Sequence, residues 1–595
     1  MGYQAPVADH IFLLRDVLQI EKYANLPGFA DAPIETIEQI LAEAAKFTAE
    51  VLAPLNSVGD KHGCVWHPDN SVTTPPGFKG AYQAMVDGGW PLLSADPDYG
   101  GQGLPALVSL CFAEMSSSAN MAFGMYPGLT HGAYAALRQG GSQALKDIYL
   151  AKMASFQWGG TMNLTEPHCG TDLGLLRTKA VPQADGSYKI SGQKIWISGG
   201  EQDLTENIVH LVLARIEGAP AGVKGISLFL VPKFIPDADG NPGARNAVFC
   251  LGLEEKMGIH GNATCVMGYE EATGWLIGEA HQGLKVMFIM MNEARLGVAM
   301  QGVALAEPAY QAAVAFARDR LQMRSISGVK HPELPADPII VHPDVRRMLL
   351  DQRAIIEGGR AFMLWTALHG DLAHKHPDAA VRERGEDYMA LLTPVLKGFL
   401  TDRGFKACSD AVQVHGGSGF TEHFPVSQYM RDVRIALIYE GTNGIQALDL
   451  VGRKLGAHGG RAIMAFLAEL DAFVTAHAGE AAMQPFTDAL AGAKAQLQEG
   501  TFWLMQNGLS DPDAAGAGSH DYMHLFGLTG LAYMWALMAQ AALANIAAGK
   551  DVGFAETKLA TGRYYISRVL PDAGAHLAKL KTGPEVMMAV PATAF

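Results

Sequence analysis

Apolar residues recur at three- and four-residue intervals through IETIEQILAEAAKFTAEVLAPLN, residues 34–56, which predicts an amphipathic helix ending at Pro54. The same texture continues to Trp158, punctuated at Gly88-Gly89 and DYGGQG (98–103), with Leu129 to Tyr149 again alternating apolar and polar faces. Residues 35–156 therefore predict a helical domain, preceded by an N-terminal extension, 1–34. After Phe156 the period changes. WGGTMNLTEP, SYKISGQKIWISGG, NIVHLVLARI, GISLFLVPKF and AVFCLG are short β-rich runs separated by Gly, Pro and Asp, which predicts a β-domain over 157–280. Leu284 to Arg320 is almost free of breakers and opens a second helical region. It continues through Pro343–Gly370 and Asp387–Gln413, and four long helices in 281–455 fit a bundle. Beyond a joint at AHGGRAIMAF, residues 461–595 are Ala-rich helical text. Within them LSDPDAAGAGSH (509–520) predicts a loop. Residues 527–549 are nearly long enough to span a bilayer but carry Gln540 and Asn545, which predicts a buried helix and no membrane span.

Composition narrows the chemistry. With 49% hydrophobic and 18% charged residues among 595, the chain can bury large cores and is not a disordered one. A net charge of −15, from 45 Lys+Arg against 60 Asp+Glu, offers no field for nucleic acid or a membrane surface, so an anionic ligand must be held locally. Cys64, Cys111, Cys169, Cys250, Cys265 and Cys408 form no C-x-x-C pair, which argues against a zinc cluster and a disulfide framework. The first residues lack a basic n-region and a cleavage site, and a cytoplasmic location is expected. His369, His374 and His376 sit in the polar stretch HGDLAHKHPD, which reads as a solvated turn, and no metal is expected. Phosphate-loop, G-x-S-x-G and H-E-x-x-H signatures are missing.

Two segments remain. In TMNLTEPHCGTD (161–172) small and polar residues follow a strand; they can present backbone N–H groups to a phosphate, or simply form a strand exit. In AVQVHGGSGFTEHFPVSQYMRDVRIALIYEGTNGIQ (411–446), Glu440 follows the apolar run Ile435–Tyr439. Burial there would raise its pKa toward that of a general base, although a helix-start glutamate fits equally.

LTEPHCGTD, QKIWISGG, EKMGIHGNATC, QVHGGSGF and IYEGTNGIQ, in this order over roughly residues 35–455, resemble the acyl-CoA dehydrogenase family. The resemblance implies an α+β multidomain fold with an N-terminal helical domain, a middle β-barrel-like domain and a C-terminal four-helix bundle, here followed by an extra C-terminal helical domain. It implies FAD and an acyl-CoA thioester. Glu440 would remove the α-proton while the β-hydrogen leaves as hydride to the flavin, giving a trans-2-enoyl-CoA. Family members with an alternative base carry it just before a family arginine; here Arg295 follows Ala294, with Glu293 one residue further away, which favours Glu440.

By the same resemblance, Met162, Leu164 and Thr165 would line the flavin ring, Trp196 and Ser198 would cover it, and Gly170 and Thr171 would approach the pyrophosphate or the CoA arm. Arg320, Gln322, Met323, Gln413, Gly416 and Gly417 would reach the FAD of a neighbouring subunit, which implies a homo-oligomer, at least a dimer. Thr442 and Asn443 would touch the adenine end, with Gly444 departing from the usual glutamine. Thr171, Asn292, Arg295, Tyr439 and Gly441 would face the substrate, with the Glu440 N–H donating to its carbonyl. Electron transfer flavoprotein is the expected electron acceptor.

The N-terminal segment YQAPVADHIFLLRDVL and the C-terminal extension are similar to the enlarged bacterial subgroup that includes enzymes acting on 3-methylmercaptopropionyl-CoA. Short-, medium- or long-chain acyl-CoA substrates are the alternative. A DNA-associated flavoprotein of similar fold should have a basic extension, whereas residues 461–595 hold 8 Lys/Arg against 12 Asp/Glu. Glu440 counts against a non-catalytic scaffold.

Overall fold

The computed structural model describes residues 2–508 and 510–595, with only the backbone at Glu293. The helices are α1 (Val7–Ile11), α2 (Ile34–Phe47), α3 (Ala53–His62), α4 (Phe78–Asp87), α5 (Ala106–Gly140), α6 (Gln143–Ala154), α7 (Gly283–Asp319), α8 (Pro343–Lys375), α9 (Ala379–His415), α10 (Val426–Val433), α11 (Asn443–Asp449), α12 (Arg461–Ala476), α13 (Gln484–Asn507), α14 (Pro512–Ala547), α15 (Val552–Tyr564) and α16 (Asp572–Leu580). The strands are β1 (Val65–Trp66), β2 (Val72–Thr73), β3 (Trp158–Asn163), β4 (Lys179–Pro182), β5 (Tyr188–Ser198), β6 (Asn207–Ile216), β7 (Ile226–Pro232), β8 (Phe234–Pro236), β9 (Pro242–Arg245), β10 (Val248–Leu253) and β11 (Thr264–Ile277). They form two compact units, residues 43–297 and residues 3–42 with 298–595.

In the unit 43–297, Pro54 does not end a helix as its position suggested. It stands in the first turn of α3, where a missing N–H leaves no bond unmade, and one π-helical segment, Thr48–Leu52, joins α2 to α3. The long α5 bends at Asn120, whose side-chain oxygen accepts the Phe123 N–H at 3.1 Å and restarts the helix.

Strands β11, β5, β4, β6 and β7 pair in that order, and β7 pairs back to β11, so five strands close on themselves. β10 lies beside β11, and β3 runs parallel to β6 with Thr161 opposite His210. Every residue of β7 and the first eight of β6 are buried, which explains their unbroken apolar text. One face packs under α5 and α6 through Tyr149, Leu150, Trp158, Leu211 and Leu228.

In the other unit, three long helices, α7, α8 and α9, account for most of residues 298–415, and the fourth long helix expected before 455 is broken into short α10 and α11. The stretch 369–376 is corrected from a solvated turn to helix: α8 runs to Lys375, and His369 packs with its ring 4.3 Å from Trp365 and 4.9 Å from Tyr388. Burial, with Arg384 nearby, pushes its pKa down to about 4, so it is a neutral core histidine. A polar-looking sequence hid the last turns of a helix in which Asp371, Leu372 and Ala373 are buried.

The predicted loop 509–520 is also corrected. Leu509 lies outside the described residues, but α14 begins at Pro512, with Asp511 as a side-chain N-cap, so the Pro and Asp mark a helix start. The nearly bilayer-length apolar segment is the core of this helix. It packs on α8 and α9 so closely that a Cβ at Gly527 would lie 2.3 Å from Phe399 and one at Gly530 2.5 Å from Phe362. Of its most apolar 18-residue window 89% is buried inside the protein, which marks a core helix.

A buried ion cluster anchors the N-terminal segment to this unit. Asp9 of α1 bonds Arg360 and Lys558; Arg360 also reaches Glu307 at 2.7 Å, and Lys558 reaches Glu357 at 2.8 Å. Alternating charges satisfy one another where none could be buried alone.

Candidate active site

In the unit 43–297, β3 ends at Asn163 and the chain makes a narrow turn in which Glu166 and Cys169 exchange backbone bonds at 2.9 and 3.1 Å. Glu166 is buried beneath this turn. Its carboxylate accepts from Arg177 N–H at 2.7 Å, from Thr178 N–H at 3.0 Å and Oγ1 at 2.6 Å, and from Lys194 Nζ at 2.9 Å. Lys194 Nζ also donates to the Leu164 carbonyl at 2.9 Å. Burial alone would raise the Glu166 pKa, but the Lys194 charge and these donors outweigh it and hold the carboxyl below its ordinary value. The pair thus fixes the segment that carries Leu164, Thr165, Gly170 and Thr171. Leu164 and Thr165 are half-buried, like Met162 on β3, and Gly170 and Thr171 are exposed.

Ile195 N–H donates to Thr165 O at 2.9 Å, which sets the end of β5 beside this segment. There the pairing with β11 slips: Ile197 stands opposite Cys265 and Lys194 opposite Met267, so two residues of β5 face the single Val266. At this bulge Trp196 takes φ +60° and is 61% exposed, so its indole points outward while Lys194 and Ile197 point in. An exposed aromatic face next to the half-exposed Ser198 and Thr165 and an exposed glycine-containing loop fits a flavin with its phosphates.

Behind β3, His210 Nδ1 lies 2.8 Å from Thr161 Oγ1, which accepts from Asn163 Nδ2 at 2.8 Å; Asn163 Oδ1 in turn accepts from Tyr269 at 2.8 Å. Burial, assisted by Arg245 and Lys233, lowers the His210 pKa to about 3, so this chain of bonds carries no net charge. Asn292 and Arg295 fall one turn apart on α7. Asn292 is exposed, and the buried Arg295 guanidinium lies 5.8 Å from the Phe288 ring. The Glu293 side chain lies outside the described residues.

In the other unit, Glu440 stands in the loop before α11 with φ +59°, half-buried. Such a conformation is strained for glutamate and must be imposed by its surroundings. Gln446 Nε2 donates to Glu440 O at 2.9 Å, and Lys397 Nζ donates to Gly441 O at 2.8 Å. Tyr439 bonds Gln301 through its hydroxyl; burial first, then the Glu440 charge, pushes its pKa far up. Thr442 is exposed and N-caps α11.

The Asn443 side chain is buried, donating to Gly398 O at 3.1 Å, Thr401 Oγ1 at 2.9 Å and Asp402 Oδ1 at 2.8 Å, and accepting from Lys397 Nζ at 2.8 Å. The hydrogen-bonding capacity of the side chain is thus used inside the protein, where it positions the Glu440 loop.

Arg320, Gln322 and Met323 are exposed on a loop after α7, where Met323 has φ +61°. Asp337 organises this loop, accepting from Ser325, His331 and Lys330 N–H groups and from Arg324; burial would raise its pKa, but these donors bring it down to about 2. Gln413, Gly416 and Gly417 are exposed at the end of α9, followed by Phe420, 89% exposed.

Sequence reasoning missed Glu166, Lys194, Lys397 and Gln446. One signal was available: Lys194 shares the inward face of β5 with Ile190, and a lysine there needs a buried partner.

Family models match the chain as acyl-CoA dehydrogenase N-terminal domain over residues 35–157, middle domain over 161–272 and C-terminal domain over 281–455, and as acetyl-CoA dehydrogenase C-terminal like over 466–591. The 3-methylmercaptopropionyl-CoA dehydrogenase of Ruegeria pomeroyi is 44% identical over 99% of this chain and 100% of its own length. The broad-specificity linear acyl-CoA dehydrogenase FadE5 of Mycobacterium tuberculosis is 36% identical over 96% of each. An acyl-CoA dehydrogenase complexed with FAD from Bacillus anthracis has a similar fold, with TM-score 0.74 and 20% identity over 94% of this chain and 90% of that one. A chain in the structure of the electron transferring flavoprotein of Acidaminococcus fermentans matches 70% of this chain and 96% of its own, with TM-score 0.58 and 26% identity.

Proposed function

Because the chain belongs to the acyl-CoA dehydrogenase family and is an FAD-dependent oxidoreductase of acyl-CoA thioesters, we propose that Glu440 is its base and that 3-methylmercaptopropionyl-CoA is its substrate. The product is methylthioacryloyl-CoA, an intermediate of dimethylsulfoniopropionate catabolism. The observation that supports the base is the strained Glu440 backbone held from both sides by Gln446 and Lys397. The substrate rests on the 44% identity that extends over both whole chains, extensions included.

FAD, when bound, supplies the two-electron acceptor for the β-hydrogen. Trp196, Ser198, Met162, Leu164 and Thr165 would hold its ring, with Gly170, Thr171 and Thr442 toward its phosphates and adenine. Glu440 takes the α-proton onto its carboxylate. The Glu440 backbone N–H donates to the thioester oxygen, where negative charge grows as that proton leaves; a donor fixed in advance lowers the barrier because it need not reorient. Tyr439 and Gly441 flank the base, and Asn292 and Arg295 orient the substrate.

The exposed apolar Met323, Ile326 and Phe420 beside Arg320, Gln322, Gln413, Gly416 and Gly417 support a homodimer in which these residues reach the partner's FAD. Electron transfer flavoprotein is the acceptor, and the location is cytoplasmic. The proposed domains are 35–156, 157–280, 281–455 and 461–595, after an extension at 1–34.

Dye-reduction assays with 3-methylmercaptopropionyl-, butyryl-, octanoyl- and palmitoyl-CoA test the substrate; a higher kcat/KM for any straight-chain substrate overturns it. Glu440→Gln should keep its FAD and lose activity by on the order of 100- to 10,000-fold. Undiminished turnover in that variant would remove Glu440 from the role.

A further inference from the structure

A second cluster of ligating side chains lies where α14 meets α9 and α16. His520 and His524 are four residues apart on α14, so they project from one helix face, and their ring centres are 4.4 Å apart. Asp402 of α9 approaches them, with Oδ2 3.0 Å from His524 Nε2. One ligand atom from each of Asp402, His520 and His524 lies within 4.8 Å of the other two. We propose that these three side chains bind a divalent transition metal of the zinc class.

Metal–ligand distances of about 2.0–2.1 Å put the ligand atoms of a tetrahedral ion roughly 3.3 Å apart. The Asp402–His524 pair is already near that spacing, and His520, exposed at the surface, can close the third edge by turning its ring. Two imidazoles and a carboxylate with an open fourth position form a donor set suited to zinc, cobalt or nickel rather than calcium.

His524 is 6% exposed, so its ring is held in place with the Nε2 edge toward Asp402.

Surrounding residues hold the ligands in place. Asp402 Oδ1 accepts from Asn443 Nδ2 at 2.8 Å, and His576 stacks on His524 at 5.1 Å, its own Nδ1 2.7 Å from Asp521 Oδ1. Such outer partners orient metal ligands. Arg403 is close enough to oppose a cation, which favours exchangeable binding over a permanent structural ion. The alternative cluster Glu166, His168 and Cys169 is disfavoured because Lys194 already neutralises Glu166.

Through Asp402 and Asn443 an ion here would stiffen the loop that carries Glu440. The metal site rests on its own residues and stands whether or not Glu440 is the base.

The full-length, FAD-loaded protein, stripped with a chelator and dialysed into metal-free buffer, should bind one Zn²⁺ per chain by calorimetry. With Co²⁺ it should develop the visible difference bands of a tetrahedral ion. His520→Ala, at an exposed position, should fold normally and bind Zn²⁺ on the order of 100-fold more weakly; Asp402→Asn should weaken binding similarly. Absence of stoichiometric binding at sub-millimolar Zn²⁺, or unchanged binding in His520→Ala, overturns the proposal.

Discussion

Lys194→Met isolates the ion pair beneath the loop 164–172. The lysine is fully buried, and its ammonium makes two bonds of 2.9 Å, to the Leu164 carbonyl and to Glu166. Methionine nearly matches its length and removes the charge together with both of these hydrogen bonds. Glu166 keeps three donors, from Arg177 and Thr178, but loses its counter-ion. Breaking a buried pair from one side costs about 3–5 kcal/mol, and the surviving donors argue for the lower end, about 3 kcal/mol. At roughly 2–4 °C per kcal/mol for a unit of this size, the unfolding midpoint should fall by roughly 6–12 °C.

Far-UV circular dichroism and flavin release, followed in the same melt, measure this, and the flavin should leave before the helices unfold. A Glu166→Gln/Lys194→Met double variant should be more stable than the sum of the single losses predicts, by about 2 kcal/mol. The pH dependence has a definite sign. The folded Glu166 pKa is depressed, so the pair's contribution is fully present above an ordinary glutamate pKa of about 4.3 and is lost as pH falls below it. The wild-type advantage over Lys194→Met should therefore narrow in acid. A midpoint within 2 °C of wild type, as an approximate experimental margin, or strictly additive losses, would refute the pairing argument.

Three other substitutions probe separate parts of the molecule. Asn443→Ala should destabilise by about 3 kcal/mol, because it deprives buried Lys397 and half-buried Asp402 of charge-assisted bonds, and should lower kcat while FAD content stays constant; flavin absorbance and steady-state kinetics separate the two effects. Asp9→Asn should lower the midpoint at neutral pH. Burial would raise the Asp9 pKa, but Lys558 and Arg360 depress it, so wild-type stability should fall as pH drops below about 4, and the variant should lose much of that acid dependence in pH-resolved melts. Gly527→Ala, with its Cβ 2.3 Å from Phe399, should cost about 1–3 kcal/mol in a urea titration.

Periodicity located the strands and long helices because their buried faces repeat every two or 3.6 residues, and the motif order pointed to the family. It failed where one residue type serves opposite purposes. Proline and aspartate at 511–512 start a helix as readily as they make a turn, and reading them as a loop hid the i, i+4 spacing of His520 and His524. Likewise the bulge that turns Trp196 outward depends on a slip in pairing with β11, which no local pattern records. The apolar approach to Glu440 was legible in the sequence, and the residue is half-buried in the fold. The residues that fix it, Lys397 and Gln446, were not, because their partners come from tertiary packing or from backbone carbonyls that carry no sequence identity.

The ion cluster around Asp9 also sets an order of events in time. Asp9 is synthesised first, Arg360 follows 351 positions later and Lys558 549 positions later. At roughly 5–20 residues per second, Lys558 leaves the ribosome about half a minute to two minutes after Asp9. Until then the N-terminal segment has no complete set of counter-ions and the surfaces of α8 and α9 that receive α14 stay uncovered. This unit therefore completes its ion cluster only after Lys558 has been translated, however early its other helices form.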